Sequence, residues 1–290
     1  MLLAHAPGGD VRMPILGLGG GIFHGAEDAF LAALEEGYRL FDTAPKYGPS
    51  EEALGRAIQR SGVKRNELFL VSKVGNYESP TAVLESFERS LMALGTEHLD
   101  LLLLHSAVNQ AASKDPSSRL HASARLATWN VLATLRATGR VRAIGVANHS
   151  PRQLAALTPP PDVVQLEYHP LLQRGAATID YCRARGIAVM VYGSGGGGWQ
   201  LWKKDGSLDL LGRKPIQEAA IAHSVSTHQI SLRWALERGV AVIPKAASRE
   251  HQRQNRQLFH FALTPAEDRA IAALDEGRSL YKFRDPDSYA

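Results

Sequence analysis

Eight short apolar runs, at intervals of about 20 to 50 residues, constrain this chain more than any other feature of its sequence. They span residues 15–18, 38–41, 68–72, 99–104, 141–146, 163–166, 188–192 and 240–243, and most are followed by a polar turn and a stretch of helical spacing. That alternation is the pattern of strands joined by crossover helices, and runs this apolar suit a parallel sheet covered on both faces. A chain of 290 residues can close eight such units on themselves, since α/β barrels routinely reach ~250 residues in one domain. The predicted fold is an α/β (β/α)8 TIM barrel, one domain over residues 1–290. An N-terminal hairpin at about 2–14 and a C-terminal helix and tail at about 264–290 fall outside the eight units.

Helix boundaries are also legible. Ser50 ahead of Glu51 and Glu52, Ser79 before Pro80, and Ser150 before Pro151 match serine caps followed by proline or acids in the first turn. Gly62, Gly95, Gly139, Gly186 and Gly239 each close a helical stretch just ahead of the next strand. Three connections are long, at 106–122, 193–213 and 276–290. The first two follow strands four and seven, which puts them on the barrel's C-terminal face, where an active site is expected. The run from Gly195 to Gly198 makes the second a candidate mobile flap.

Composition excludes several classes of function. The net charge is only +4 and no Lys/Arg-rich block stands out, so nucleic acid is not an expected partner. Cys182 is the sole cysteine, which rules out an intramolecular disulfide and a cysteine-based zinc site and favours a reducing compartment. No apolar run approaches the ~20 residues of a membrane span, and residues 1–10 lack the pattern of a signal peptide. The expectation is a soluble, cytoplasmic protein, and a monomer, since no heptad seam or repeated apolar stripe calls for a partner.

Polar residues cluster where three predicted strands end. Asp42 and Tyr47 follow strand two, Lys73 ends strand three and His105 ends strand four. In a barrel these ends meet at one mouth, bringing a carboxylate, a phenol, an ammonium and an imidazole together. A free phenol has a pKa of ~10, and a nearby ammonium lowers it by favouring the phenolate. With Asp42 holding Lys73 in place, Tyr47 becomes a candidate general acid. Each residue alone has an ordinary reading: a turn former, a solvated strand end, a polar terminus and a lid on the core. Together, at successive strand ends, they point to chemistry.

At these residues the chain resembles the aldo-keto reductases. The segment Phe41-Asp42-Thr43-Ala44-Pro45-Lys46-Tyr47-Gly48, with Glu51 and Gly55, is similar to that family's strand-two signature. Gly145-Val146-Ala147-Asn148-His149, Val164-Gln165-Leu166-Glu167-Tyr168-His169-Pro170 and Val242-Ile243-Pro244-Lys245 resemble its strand-five, strand-six and strand-eight motifs. The resemblance runs from Met13 to about Leu274. It implies a barrel that binds extended NADPH without a Rossmann domain and passes hydride from nicotinamide to an aldehyde or ketone. By the family pattern Tyr47 protonates the carbonyl oxygen, Lys73 and Asp42 tune it, and His105 orients the carbonyl. The nicotinamide carboxamide falls to Asn148 and Gln165, and its ring to Tyr192, with Gly193 beside it. Lys245 matches a lysine at the adenosine 2′-phosphate, and Asn255 an adenine-binding asparagine.

Departures from the pattern accompany it. His251 stands where NADPH-preferring members usually carry an arginine, and Gln254 replaces a common glutamate. Arg249 and Arg253 lie near enough in sequence to substitute, so NADPH is favoured and NADH use is plausible. Gly21 and Ser106 stand where tryptophans are common, which opens or polarises the substrate pocket; Trp199 and Trp202 on the strand-seven loop, and Tyr77, are further candidates to line it. Trp129 and Trp234 read as barrel packing. Gly17, Gly19, Gly20 and Gly21 thread only loosely onto a dinucleotide-binding glycine string and read as strand-one and loop glycines. Glu167 and His169, two apart on a strand without a third ligand, make a poor metal site, and no metal is expected. The alternative to an enzyme is a cofactor-binding regulatory subunit built on the same barrel, which would need no tuned acid. A barrel of unrelated chemistry, such as proton abstraction beside a carbonyl, would bind no reduced nicotinamide.

Overall fold

The computed structural model describes residues 2–6, 9–21, 27–75, 79–108, 120–196, 209–279 and 286. An antiparallel hairpin, β1 (Leu2–Ala6) and β2 (Gly9–Met13), precedes eight parallel strands. These are β3 (Leu18–Gly19), β4 (Leu40–Asp42), β5 (Phe69–Val74), β6 (Leu99–Leu104), β7 (Val141–Ala147), β8 (Val163–Glu167), β9 (Ala188–Tyr192) and β10 (Ala241–Val242), each paired with its neighbours in sequence. The first and last strands close the sheet. Leu16 bridges Val242, and the N–H groups of Gly17 and Gly19 donate to Val242 O and Pro244 O at 2.9 and 3.1 Å. Gly19 permits this seam, because a Cβ there would stand 2.8 Å from Ile243 O. The result is a (β/α)8 barrel.

Alternation along each strand produces two apolar layers. Leu40, Phe69, Val71, Leu101, Leu103, Ala143, Val163, Met190 and Ile243 share the inner cluster with Val11 and Met13 of the hairpin, which plugs the barrel's N-terminal end. The intervening residues, among them Phe41, Leu70, Leu102, Ile144, Val164 and Val191, pack outward against the helices. Those helices are α1 (Glu27–Glu35), α2 (Ser50–Ser61), α3 (Pro80–Leu94), α4 (Leu120–Ala137), α5 (Pro151–Ala155), α6 (Ala176–Arg183), α7 (Lys214–His223), α8 (Thr227–Leu236), α9 (Arg249–Arg256) and α10 (Pro265–Ala272). Trp129 of α4 and Trp234 of α8 are fully buried, and Trp234 stacks on Tyr168 with centroids 5.3 Å apart. No helix among the described residues is long and apolar enough to cross a membrane.

Some boundaries differ from the apolar runs. Strands β4, β5 and β8 continue past them into Asp42, Lys73 and Glu167, whereas β3 and β10 shorten to two residues each at the seam. Ser50 is the first residue of α2 and not its cap. Its hydroxyl instead donates to Gly20 O at 3.1 Å and accepts from Thr43 Oγ1 at 2.9 Å, which ties the loop after β3 to the loop after β4. The glycine stops hold: Gly62 and Gly95 end α2 and α3 at φ 68° and 65°, in the left-handed region where a side chain is strained.

Candidate active site

Strands β4, β5 and β6 open onto one mouth, and the local sequence makes each of them end in a polar group. Asp42 is the last residue of β4, Lys73 the penultimate residue of β5 and His105 the first residue after β6. Tyr47 closes a 3-10 turn, Pro45–Tyr47, in which Pro45 sets the first dihedral. The Lys73 ammonium is wholly enclosed and lies 2.7 Å from each Asp42 oxygen and 3.0 Å from Thr43 O. Burial opposes its charge, but Asp42, and then Tyr47, outweigh that cost and hold the ammonium above its usual range. Its Nζ also stands 4.8 Å from the centre of the Tyr47 ring, close enough to hydrogen-bond the phenol.

The Tyr47 phenol departs from the sequence-based expectation. Lys73 does pull its pKa down, but burial is the larger effect and Asp42 adds to it, so the phenol is raised above 10. It is a phenol firmly protonated before any oxyanion forms beside it. His105 meets the Tyr47 ring edge to face, with centroids 5.6 Å apart at 85°. Burial, with Lys73 and Lys46 adding to it, pushes this imidazole down to about 3, so it is neutral at physiological pH.

A second set of predicted residues joins the first. Gln165 on β8 donates to Asp42 Oδ1 at 2.8 Å. Asn148, just after β7, sits at φ 60°, a conformation asparagine tolerates better than most residues. Its Oδ1 accepts from the Tyr192 hydroxyl at 2.7 Å and its Nδ2 reaches His105 O at 3.4 Å. One face of the mouth is thus lined by two amides and a tyrosine, held by the residues of the other. Gly21 lies against the Tyr47 ring, where a Cβ would come no closer than 3.5 Å, so the missing side chain leaves that face open. Ser106, half-buried, accepts from the Val108 N–H at 3.1 Å. Trp199, Trp202 and Tyr77 lie outside the described residues, as do Gly197 and Gly198 of the flap. Gly193 turns the chain at φ 78°, and Ser194 and Gly195 beyond it are anchored, by Tyr168 O at 2.8 Å and by the His228 imidazole.

The far arm of the site is more divided. Lys245 and His251 are exposed beside the start of α9. Arg249 faces away, with its guanidinium on Glu35 and on Glu36 at 3.0 Å, and Arg253 also pairs with Glu36 at 3.0 Å. The two arginines that could replace the missing one are engaged in pinning α9 to α1. Asn255 is fully buried with its side chain against the Tyr38 hydroxyl, which donates to Gln252 O at 3.0 Å. Glu167 and His169 pair with one another at 3.0 Å, and Glu167 Oε2 also accepts from Ser279 Oγ at 2.5 Å.

Sequence reasoning passed over two features. A buried carboxyl, Glu51, accepts from Ser72 Oγ at 2.5 Å and Ser90 Oγ at 3.3 Å directly behind Lys73. The signal was present in the Ser72-Lys73 pair, where a hydroxyl on the outward face of a buried strand needs a partner. The other is Lys46, one residue before Tyr47, exposed and with no local signal beyond the motif that contains it.

Comparison with known proteins fits this geometry. The model of the aldo/keto reductase family matches residues 23–276. An aldo-keto reductase of Mycolicibacterium vanbaalenii is 36% identical, covering 97% of this chain and 94% of its own. A glyoxal reductase of Bacillus subtilis is 34% identical (92% and 90%), and a D-galacturonate reductase of Fragaria ananassa 32% (94% and 90%). A crystal structure of an aldo-keto reductase from a Medee basin deep-sea metagenome library superposes with a TM-score of 0.80 at 33% identity, covering 95% of each chain. The chain belongs to the aldo/keto reductase family and is an oxidoreductase that reduces carbonyl groups.

Proposed function

We propose that the protein is an NADPH-dependent reductase of small aldehydes or ketones, able also to use NADH, in which Tyr47 delivers the proton. The observation that carries this reading is the enclosed Lys73 ammonium, clamped by Asp42 and facing the Tyr47 phenol, opposite a neutral His105. A carbonyl oxygen between Tyr47 and His105 accepts a hydrogen bond from the phenol, and from the imidazole in the tautomer that presents N–H. As negative charge builds on that oxygen the Tyr47 proton crosses to it, and Lys73 stabilises the phenolate left behind. Asp42, with Gln165 on its Oδ1, keeps the ammonium from turning away.

The donor set fits a dinucleotide. Gln165 retains an amide N–H and Oε1 beyond its bond to Asp42, and Asn148 is oriented by Tyr192, so a primary carboxamide finds matching donors and acceptors. The buried Asn255 amide has the pattern that pairs with an adenine edge. A reduced nicotinamide held there supplies the hydride. Lys245, with His251 beside it, is the group to meet a 2′-phosphate. With Arg249 and Arg253 engaged elsewhere, the preference for NADPH over NADH is modest. The glyoxal and galacturonate reductases among its relatives support small polar carbonyl compounds as the substrate class. A cytoplasmic, single-domain monomer accords with the lone buried Cys182 and the single pattern of units.

The test is oxidation of NADPH, and separately NADH, against aromatic, aliphatic, dicarbonyl and sugar aldehydes. Tyr47→Phe should cut turnover by on the order of 10² to 10⁴ while NADPH affinity, read by fluorescence titration, is retained. Full activity in that variant would overturn the assignment of Tyr47. Tight NADPH binding with no turnover in the unmodified protein would favour a regulatory subunit.

A further inference from the structure

Lys46 lies in the turn that leads from β4 to Tyr47, on the C-terminal face of the barrel; it is exposed, and the mechanism above does not use it. It makes no ion pair or hydrogen bond among the described residues, unlike most basic side chains of the neighbouring elements. Arg56 and Arg60 of α2 are satisfied by Glu27, and Arg249 and Arg253 by Glu35 and Glu36. The carboxylates that follow Lys46 in sequence do not neutralise it. Glu51 is buried and turned inward to Ser72 and Ser90, and Glu52 is exposed on α2 without a salt bridge to Lys46. Yet Lys46 is near enough to the reacting groups for its charge to act on the His105 imidazole.

The other charges of the mouth cancel or are absent. Asp42 and Lys73 pair with one another, His105 is neutral and Tyr47 is protonated. Among the described residues, what remains at the entrance is one unpaired ammonium. Gly21, lying on the Tyr47 ring without a side chain, leaves space over that face of the ring, and Tyr47 directly follows Lys46. An unpaired cation beside such a space stabilises an anionic group placed there, and a low-dielectric wall strengthens the effect.

We propose that Lys46 is the specificity-determining anchor for an anionic group on the substrate, so that the preferred substrates are aldehydes or ketones bearing a carboxylate or a phosphate. This rests on the reductase reading above.

The test compares matched pairs with saturating NADPH: succinic semialdehyde against butanal, and glyceraldehyde 3-phosphate against glyceraldehyde. The charged member of at least one pair should have a kcat/KM about three- to tenfold higher, carried mainly by KM, as for a partly screened ion pair. Which pair shows the advantage tells carboxylate from phosphate. Lys46→Gln should bring that ratio close to one, Lys46→Arg should keep it, and raising the ionic strength from 0.01 to 0.5 M (about 30 Å to a few Å of screening length) should erode it in the unmodified protein. Ratios near one in the unmodified protein, or a ratio that survives Lys46→Gln, would overturn the proposal while butanal or glyceraldehyde turnover left the reductase reading intact. Failure of all four compounds to be reduced would count against that reading and remove the proposal with it.

Discussion

Both ends of the barrel hold buried carboxylates against cations, but the cation and its surroundings differ. At the N-terminal end Asp100, fully buried, accepts from the Leu70 N–H at 2.9 Å and takes Arg65 and Arg142 at 2.8 and 2.7 Å. Asp162 likewise accepts from the Ile144 N–H at 2.8 Å and is clasped by Arg136 at about 2.9 Å. These carboxylates bind backbone, and each partner reaches them from the surface. At the C-terminal end Asp42 has a lysine enclosed more deeply than itself, and that lysine faces a phenol. Arginine suits the first task because its fork fastens several acceptors; lysine suits the second because a compact point charge can be aimed at one atom. On the proposed mechanism, a carboxylate-cation pair at a strand end is structural or catalytic according to what else the cation touches.

The sharpest way to break this comparison is to remove the cation at the mouth. Lys73→Met should lower turnover by at least ~10²-fold and cost about 3–5 kcal/mol of stability, since Asp42 is left as a buried, uncompensated charge. Adding Asp42→Leu should recover most of that stability and none of the turnover, measured by urea denaturation beside kcat. If the double variant regained activity, the pair at the mouth would be structural after all.

At the floor the expectation reverses. Asp100→Ala should cost roughly 2–3 kcal/mol by stranding the Leu70 N–H and two guanidinium groups, while kcat/KM of the folded protein stays within about twofold. A large loss of kcat/KM would show that the floor and mouth are coupled.

Mild acid, between pH 6.5 and 5, gives a smaller and more diagnostic effect. His149, buried behind β7 with its Nδ1 on Ala147 O at 2.9 Å, is pushed down to about 3 by burial, against 6.5 when unfolded. The folded state thus favours the neutral ring, and that contribution is complete above about pH 6.5. Below it the unfolded chain binds the extra proton, and stability falls by up to about 1.4 kcal/mol per pH unit until near pH 3. His149→Phe should flatten the fall in urea midpoint between pH 6.5 and 5 relative to the unmodified protein. Identical slopes would mean that His149 already carries its proton in the fold.

These same residues mark how far the sequence can be read. The strands were legible because both faces are apolar, and β6 and β9 span the residues their apolar runs predict. Where the runs stop short, at Asp42, Lys73 and Glu167, the ladder continues, because polar residues that face the mouth belong to the strand as much as apolar ones. The four groups at the mouth were legible from their spacing, since barrel geometry makes neighbours of successive strand ends. Arg249 was not: its partners Glu35 and Glu36 lie more than 200 residues away, and nothing local to α9 signals them. The direction of the Tyr47 shift was also hidden, because it depends on how much chain covers the ring, which charge spacing does not encode.

The hairpin that carries Val11 and Met13 into the barrel makes the molecule a cup rather than a tube. With that end filled, whatever reaches Tyr47 arrives by the opposite face, where the chain turns after β4, β5 and β6, and leaves by the same face. A long ligand laid across that face would therefore set the order in which its companions arrive and leave.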